Sequence, residues 1–282
     1  MFAGVLWMIF AMSCIGIVDA LAKYLGLRLA GVEVAWGYFL SMWLCLIAWT
    51  TVFGPRGRAL LRSSRPWLQC FRAFCLVMSL SLLFSALRVL PLAEATVISF
   101  TAPLFVVAMA GPLLKETVGW RRWVAVLVGL SGAAIAVQPG SSVFVWAAVL
   151  PLIGATFFAT FQVVTRMVSD GPVTTVFYTS GVGALLLSIA VPFVWITPSA
   201  QEILLFLLSG GFGLAAHLAI VRSMMHTDAS VVAPLNYVRL VWAVTIGVVV
   251  FGDWPGPAEW IGGTLIVGSG LYVLYTAARA PR

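Results

Sequence analysis

The chain has 282 residues, 62% of them hydrophobic and 9% charged, with a mean hydropathy of +1.08 and a formal net charge of +7. A soluble domain carries about 25% charged residues, so this composition excludes a water-facing surface and predicts an all-α polytopic membrane protein. The apolar runs are long and continuous, which excludes the roughly ten-residue alternating strands of a transmembrane β-barrel.

Ten transmembrane helices are predicted: Phe2–Ala22, Val34–Phe53, Trp67–Leu87, Leu92–Leu114, Trp120–Val137, Val143–Val164, Val173–Trp195, Ile203–Met224, Ala229–Phe251 and Ala258–Thr276. Each is long enough for a hydrocarbon core of about 30 Å. The first lacks a preceding cationic stretch and a following cleavage site, so it reads as a span and not as a signal peptide. It holds Asp19, with Lys23 one turn later. Two uses of Asp19 stay open: an i,i+4 ion pair with Lys23, or a partner for a substrate ammonium, for Arg239 or for a coupling proton. The second span carries Tyr38, a cavity candidate.

The longest connection, Gly54–Pro66, holds Arg56, Arg58, Arg62 and Arg65. The third and fourth spans are rich in hydroxyls: Ser79, Ser81 and Ser85, then Thr96, Ser99 and Thr101. Such groups often only bond to helix carbonyls, but Ser99 and the adjacent Phe100 are candidates for lining a site. Cys14, Cys45, Cys70 and Cys75 lie in apolar helices at no metal or redox spacing and read as small core residues. Gly129 and Gly132 in the fifth span, and Gly263, Gly268 and Gly270 in the tenth, permit close helix packing. These two spans are expected at the periphery, where they offer a homodimer contact.

In the second half, Gln162 and Arg166 repeat the Asp19–Lys23 spacing. Tyr178 in the seventh span and His217 in the eighth are further candidates. The ninth span carries the main one. Arg239 sits near its middle, where a charge costs about 2.5–3.5 kcal/mol on the lenient insertion scale. Asn236 and Trp242 lie three residues to either side, on one helical face. That face could hold a carboxylate through charge-assisted hydrogen bonds. Alternatively, Arg239 is structural and paired with a carboxylate. Pro103 and Pro234 interrupt corresponding helices and are expected to act as hinges.

The halves repeat. Glu116–Val137 falls on Asp253–Leu274 at an offset of about 137, with Gly119 on Gly256 and Trp123 on Trp260. The expected domains are therefore residues 1–138 and 139–282, each a five-helix repeat. An odd span count inverts the second copy. Lys and Arg concentrate on one side of the spans, with Arg72 near that side too, which places both termini in the cytoplasm. The same asymmetry accounts for the net charge, so nucleic acid is not an expected partner. Trp67, Trp120, Trp123, Trp195, Trp254 and Trp260 mark span ends as an aromatic belt.

The run Leu90-Pro-Leu-Ala-Glu-Ala-Thr-Val-Ile-Ser-Phe-Thr-Ala-Pro-Leu-Phe105, followed by Leu114-Lys-Glu-Thr-Val-Gly-Trp-Arg-Arg-Trp123, resembles the fourth and fifth helices of the EamA family. That family belongs to the drug/metabolite transporter superfamily. The resemblance implies ten spans in two inverted repeats, a bacterial inner-membrane location and alternating access. It implies a cavity formed mainly by the third, fourth, eighth and ninth helices. Among members, the aromatic amino-acid exporters of YddG type fit an aromatic-rich chain with a buried Arg. Other members with a similar fourth-helix run carry S-adenosylmethionine or riboflavin.

The expectation is thus a secondary exporter of amino acids, including aromatic ones. Arg239 and Asn236 would take the carboxylate, Trp242 and Phe100 the side chain, and Asp19 or Gln162 the amino group. An importer of an S-adenosylmethionine- or riboflavin-like metabolite is the alternative. An intramembrane enzyme would need a nucleophile or metal cluster at one depth, and the sequence offers none. No P-loop is present, so transport would follow a gradient. No cofactor is expected, and the partners are a small molecule and the lipid bilayer.

Overall fold

The computed structural model describes residues 2–53, 63–102, 104–106, 108–109, 120–137, 146–165, 167–168, 170–226 and 233–278. Among them the fold is all-α, with no strand. The α-helices are α1 Phe2–Gly26, α2 Gly31–Phe53, α3 Pro66–Ala86, α4 Leu92–Ser99, α5 Trp120–Val137, α6 Val149–Thr165, α7 Pro172–Ala190, α8 Ala200–His226, α9 Val238–Phe251 and α10 Pro257–Ala278. Proline opens α3, α7 and α10, where its missing N–H costs nothing. Short 3-10 turns precede α6 and α9 and follow α7.

Among the described residues, six stretches are long and apolar enough to cross a membrane: Ala3–Gly26, Gly31–Val52, Pro66–Ala86, Trp146–Thr165, Pro172–Phe193 and Ala200–Ile220. Leu92–Val106, Trp123–Ala136 and Leu235–Phe251 are apolar but shorter. Two predicted spans are interrupted. In the fourth, α4 stops at Ser99, Phe100 and Thr101 form a turn, and helix resumes at Ala102. In the ninth, Ala233–Tyr237 wind as a 3-10 helix before α9 begins at Val238. Pro234 lies in that 3-10 segment, which suits a residue that cannot donate an i→i−4 bond. Pro103 lies outside the described residues.

The packing exchanges under the same offset of 137. α1 packs on α8 as α6 packs on α3; α2 packs on α8 as α7 packs on α3. α1 meets α9 as α6 meets α4, and α5 meets its own counterpart α10. Phe100 and Tyr237, which are 137 positions apart, put their rings in contact at 5.0 Å with planes tilted by 31°. The two helix breaks therefore touch each other. α5 and α10 approach through small residues: a Cβ on Gly132 would sit 2.7 Å from Leu265 Cβ and 2.8 Å from the Gly262 carbonyl oxygen.

The main core fills the space among α1, α2, α3, α4, α7 and α8, with Leu25, Leu29, Phe39, Met42, Leu46 and Phe84 fully buried. The exterior is also apolar. Leu185, Ile189, Val249 and the belt residues Trp67, Trp120 and Trp254 are largely exposed, as expected where the solvent is lipid. The four cysteines are unpaired, with Cys14 and Cys75 buried and Cys45 and Cys70 half-buried.

Candidate functional site: a line of buried charges

On α1, Ser13, Gly16 and Asp19 recur every three residues along one face, and α9 lies against them. Arg239 donates from Nε to Asp19 Oδ2 at 2.6 Å and from Nη2 to Oδ1 at 3.0 Å. One helical turn on, Trp242 donates from its indole N–H to the Ser13 hydroxyl at 2.8 Å. The helices come this close because residue 16 is glycine: a Cβ there would lie 2.7 Å from Trp242 Cβ. Asp19 is buried and the Arg239 side chain is mostly so, so the pair is formed away from solvent. Such a pair adds little net stability, but removing one partner costs about 3–5 kcal/mol because the other charge stays buried.

Asp19 does not pair with Lys23. The Lys23 ammonium donates instead to Asp253 Oδ2 at 2.5 Å and to the Leu90 carbonyl at 2.9 Å, above the Phe251 ring. Gly252, at φ 71°, ends α9 in a left-handed turn that brings Asp253 back towards α1. Only glycine adopts this conformation freely.

Deeper in the bundle, Tyr38 of α2 is buried within electrostatic reach of both Asp19 and Arg239. Its hydroxyl occupies the space a Cβ on Gly213 of α8 would need, 2.6 Å away. His217 follows Gly213 by one turn on α8 and lies within electrostatic reach of Arg72. Beside Tyr38, a gap with no room for a water molecule is bounded by Val18, Ala22, Leu25, Val34, Phe84 and Ser209. Ligand pockets for drug-sized molecules run to about 300–1,000 Å³, so a substrate would require the helices to part.

Arg72 of α3 is 3% exposed. Its Nε donates to Gln69 Oε1 at 3.2 Å and its Nη1 to the Thr165 hydroxyl at 3.3 Å. Its Nη2 donates to the Thr175 carbonyl at 3.0 Å and to the Thr179 hydroxyl. The guanidinium carbon sits 4.8 Å from the Phe161 ring centroid. α3, α6 and α7 thus all contribute to one cation. Gln69 passes the network on by donating to Asp170 at 2.9 Å.

The bundle is tied at both ends. At one end, Lys23 holds Asp253, Arg28 holds Glu202 and the Thr197 carbonyl, and Glu33 accepts from the Ile196 N–H. At the other, Asp170 accepts from the Ser63 hydroxyl and, at 2.9 Å, from the Ser64 N–H. There too, Ser223 donates to the Gly4 carbonyl. The Ser63, Ser64 and Gln69 hydrogen bonds hold the Asp170 carboxyl well below the usual carboxylate range.

The predicted residues divide accordingly. Arg239, Asp19, Trp242 and Tyr38 gather at the α1–α9 contact, whereas Phe100 packs against Val97, Ala133, Ala136 and Ile266 with its ring tilted on Tyr237. Asn236 is exposed and falls in the 3-10 segment that precedes α9. Gln162 is half-buried near the Arg72 end of α6, whereas Asp19 lies towards the Lys23 end of α1, so the two do not converge on one group. Ser99 donates to its own helix at the Ala95 carbonyl, 2.8 Å. Ser85, Thr96, Thr101, Thr156 and Thr160 also donate to carbonyls of their own helices. Tyr178 is half-buried with its ring edge-on to Phe177 at 6.4 Å. Sequence reasoning passed over Arg72, counting it with the flanking charges. The signal was its place two turns inside an apolar helix, with Gln69 at i−3.

Apolar outside, crossed by membrane-length helices and charged along its interior, the molecule is a multi-pass membrane transporter of the bacterial inner membrane. It belongs to the EamA-like transporter family, whose model matches residues 2–138 and again 145–276. The S-adenosylmethionine uptake transporter of Rickettsia prowazekii (strain Madrid E) is 27% identical over 280 residues, covering 98% of this chain and 94% of its own. The riboflavin transporter of Vibrio cholerae is 31% identical over 277 residues, covering 94% and 90%. A crystal structure sharing 21% identity superposes with a TM-score of 0.66 over 98% of this chain and 97% of the other, which shows the fold. These relatives do not support the expected amino-acid export.

Proposed function

We propose that the chain is a secondary transporter that imports an S-adenosylmethionine-like metabolite by alternating access. Ten spans in two inverted five-helix halves, residues 1–138 and 139–282, form the moving bodies, with both termini cytoplasmic. The observation that carries the substrate reading is an interior bearing charges of both signs, Asp19 and Arg239 on one contact and Arg72 on another. S-adenosylmethionine carries a carboxylate, an ammonium and a sulfonium beside a flat adenine. Riboflavin is flat but uncharged and gains nothing from buried ions. The similarity to S-adenosylmethionine uptake transporters over nearly the whole chain supports the same reading.

In this reading Arg239, Asp19, Tyr38, His217, Trp242 and Phe100 line the pathway. The Asp19 carboxylate meets the cationic end of the substrate when the pair with Arg239 opens. Phe100 and Tyr237, at the touching helix breaks, offer aromatic faces to the adenine. The ties at the two ends, Lys23–Asp253 with Arg28–Glu202 and the Asp170 cluster, are the contacts that must break alternately.

Thermal unfolding of the purified protein in detergent tests the choice of substrate. A ligand at 100 times its dissociation constant stabilises the native state by about 2.7 kcal/mol. S-adenosylmethionine should raise the midpoint, while riboflavin and phenylalanine leave it unchanged. A rise with riboflavin and none with S-adenosylmethionine would reverse the assignment.

A further inference from the structure

The two buried arginines differ in one respect. The Nε/Nη2 edge of Arg239, the edge that grips a carboxylate in a bidentate pair, is taken by Asp19. Arg72 has its donors directed at Gln69, Thr165, Thr175 and Thr179. These are neutral oxygens. They orient the guanidinium but cannot cancel its charge. Among the described residues no carboxylate lies within ion-pair distance of Arg72, and Asp170 is reached only through Gln69. Five N–H groups are available on a guanidinium, and four are used. The Phe161 face below it shields the cation without neutralising it.

A buried, oriented and uncompensated cation is an anion site in waiting, because an ion carried into low dielectric is stabilised most by an opposite charge. We propose that Arg72 is the carboxylate subsite of the transport pathway, with Gln69, Thr165 and Thr179 as positioning residues. It takes the carboxylate of a zwitterionic substrate. This deepens, and rests on, the S-adenosylmethionine reading. It assigns the carboxylate to α3 and not to Arg239.

The test compares matched ligands that differ only in the carboxylate: S-adenosylmethionine with its decarboxylated form, and phenylalanine with phenethylamine. Competition against labelled substrate in proteoliposomes, and ligand-induced thermal shift, are measured for wild type, Arg72→Gln and Thr179→Val. Wild type should prefer the carboxylate-bearing member of the effective pair by tenfold or more. Arg72→Gln should reduce that preference to about onefold while binding the decarboxylated form as wild type does. Thr179→Val, which keeps the charge and loses one orienting bond, should fall between and serves where Arg72→Gln does not fold.

Undiminished preference in Arg72→Gln, or no preference in wild type, overturns the proposal. If phenylalanine binds, S-adenosylmethionine does not, and Arg72→Gln abolishes the preference, the substrate reading falls and the subsite stands. If riboflavin alone binds wild type, both fall.

Discussion

At the residue scale, the chemistry of this protein rests on which charge meets which. Arg239 was legible as a buried cation because it interrupts an apolar span, and its pairing with a carboxylate was one of the readings open for it. The partner itself was not legible, since Asp19 lies 220 positions away and a helix pattern holds no information on which face meets which. The nearer candidate, Lys23, was drawn off by Asp253 from a turn at the far end of the chain. The pair predicts a pattern in mutants. Asp19→Asn and Arg239→Gln should each destabilise by about 3–5 kcal/mol by leaving one buried charge unmatched. The double mutant should lose clearly less than the sum of the two. Thermal unfolding in detergent measures all three, and strictly additive losses would mean that the two residues do not interact. Arg72 was passed over because a charge near a span end looks like an interfacial anchor until three helices are seen to close around it.

At the element scale, the order of helices and their apolar faces follow from hydropathy alone, and so do the close approaches of glycine-rich spans. The breaks do not. A window of apolar residues reads the same whether it winds as α or 3-10, so the turn at Phe100–Thr101 and the segment Ala233–Tyr237 were invisible as geometry. Only the prolines hinted at them. The contact of Phe100 with Tyr237 was not legible either, because the offset of 137 relates every position of the two halves and does not say which pair meets. The α5–α10 contact is more rigid. A side chain at Gly132 would meet backbone at the Gly262 oxygen, 2.8 Å away, and backbone cannot step aside as a flexible side chain can. Gly132→Val should therefore destabilise by about 1–3 kcal/mol, the range for overpacking, whereas Gly268→Ala, in open space, should be near neutral. Comparable midpoints for the two variants would show that α5 and α10 are not in contact.

At the scale of the whole molecule, the two halves exchange their contacts, and polar ties at both ends join residues of one half to residues of the other. Asp170 is the tie whose titration is accessible. Its carboxyl is held below the usual range, so its stabilising contribution is complete above the unfolded-state value of about 3.9 and is lost as pH falls through the folded-state value. Thermal midpoints of wild type should drop on acidification below about pH 4, and Asp170→Asn should show a smaller drop; equal drops would remove Asp170 from the tie. The repeat was legible from a gapless offset, and the family model matches each half in turn. The substrate was not, because it depends on side chains from helices far apart in sequence. Counterflow tests the transport claim most directly. Proteoliposomes loaded with unlabelled S-adenosylmethionine should accumulate external labelled S-adenosylmethionine transiently, without ATP, and Arg239→Gln should abolish the overshoot. Failure of the wild-type protein to drive S-adenosylmethionine counterflow, with riboflavin counterflow in its place, would contradict the account.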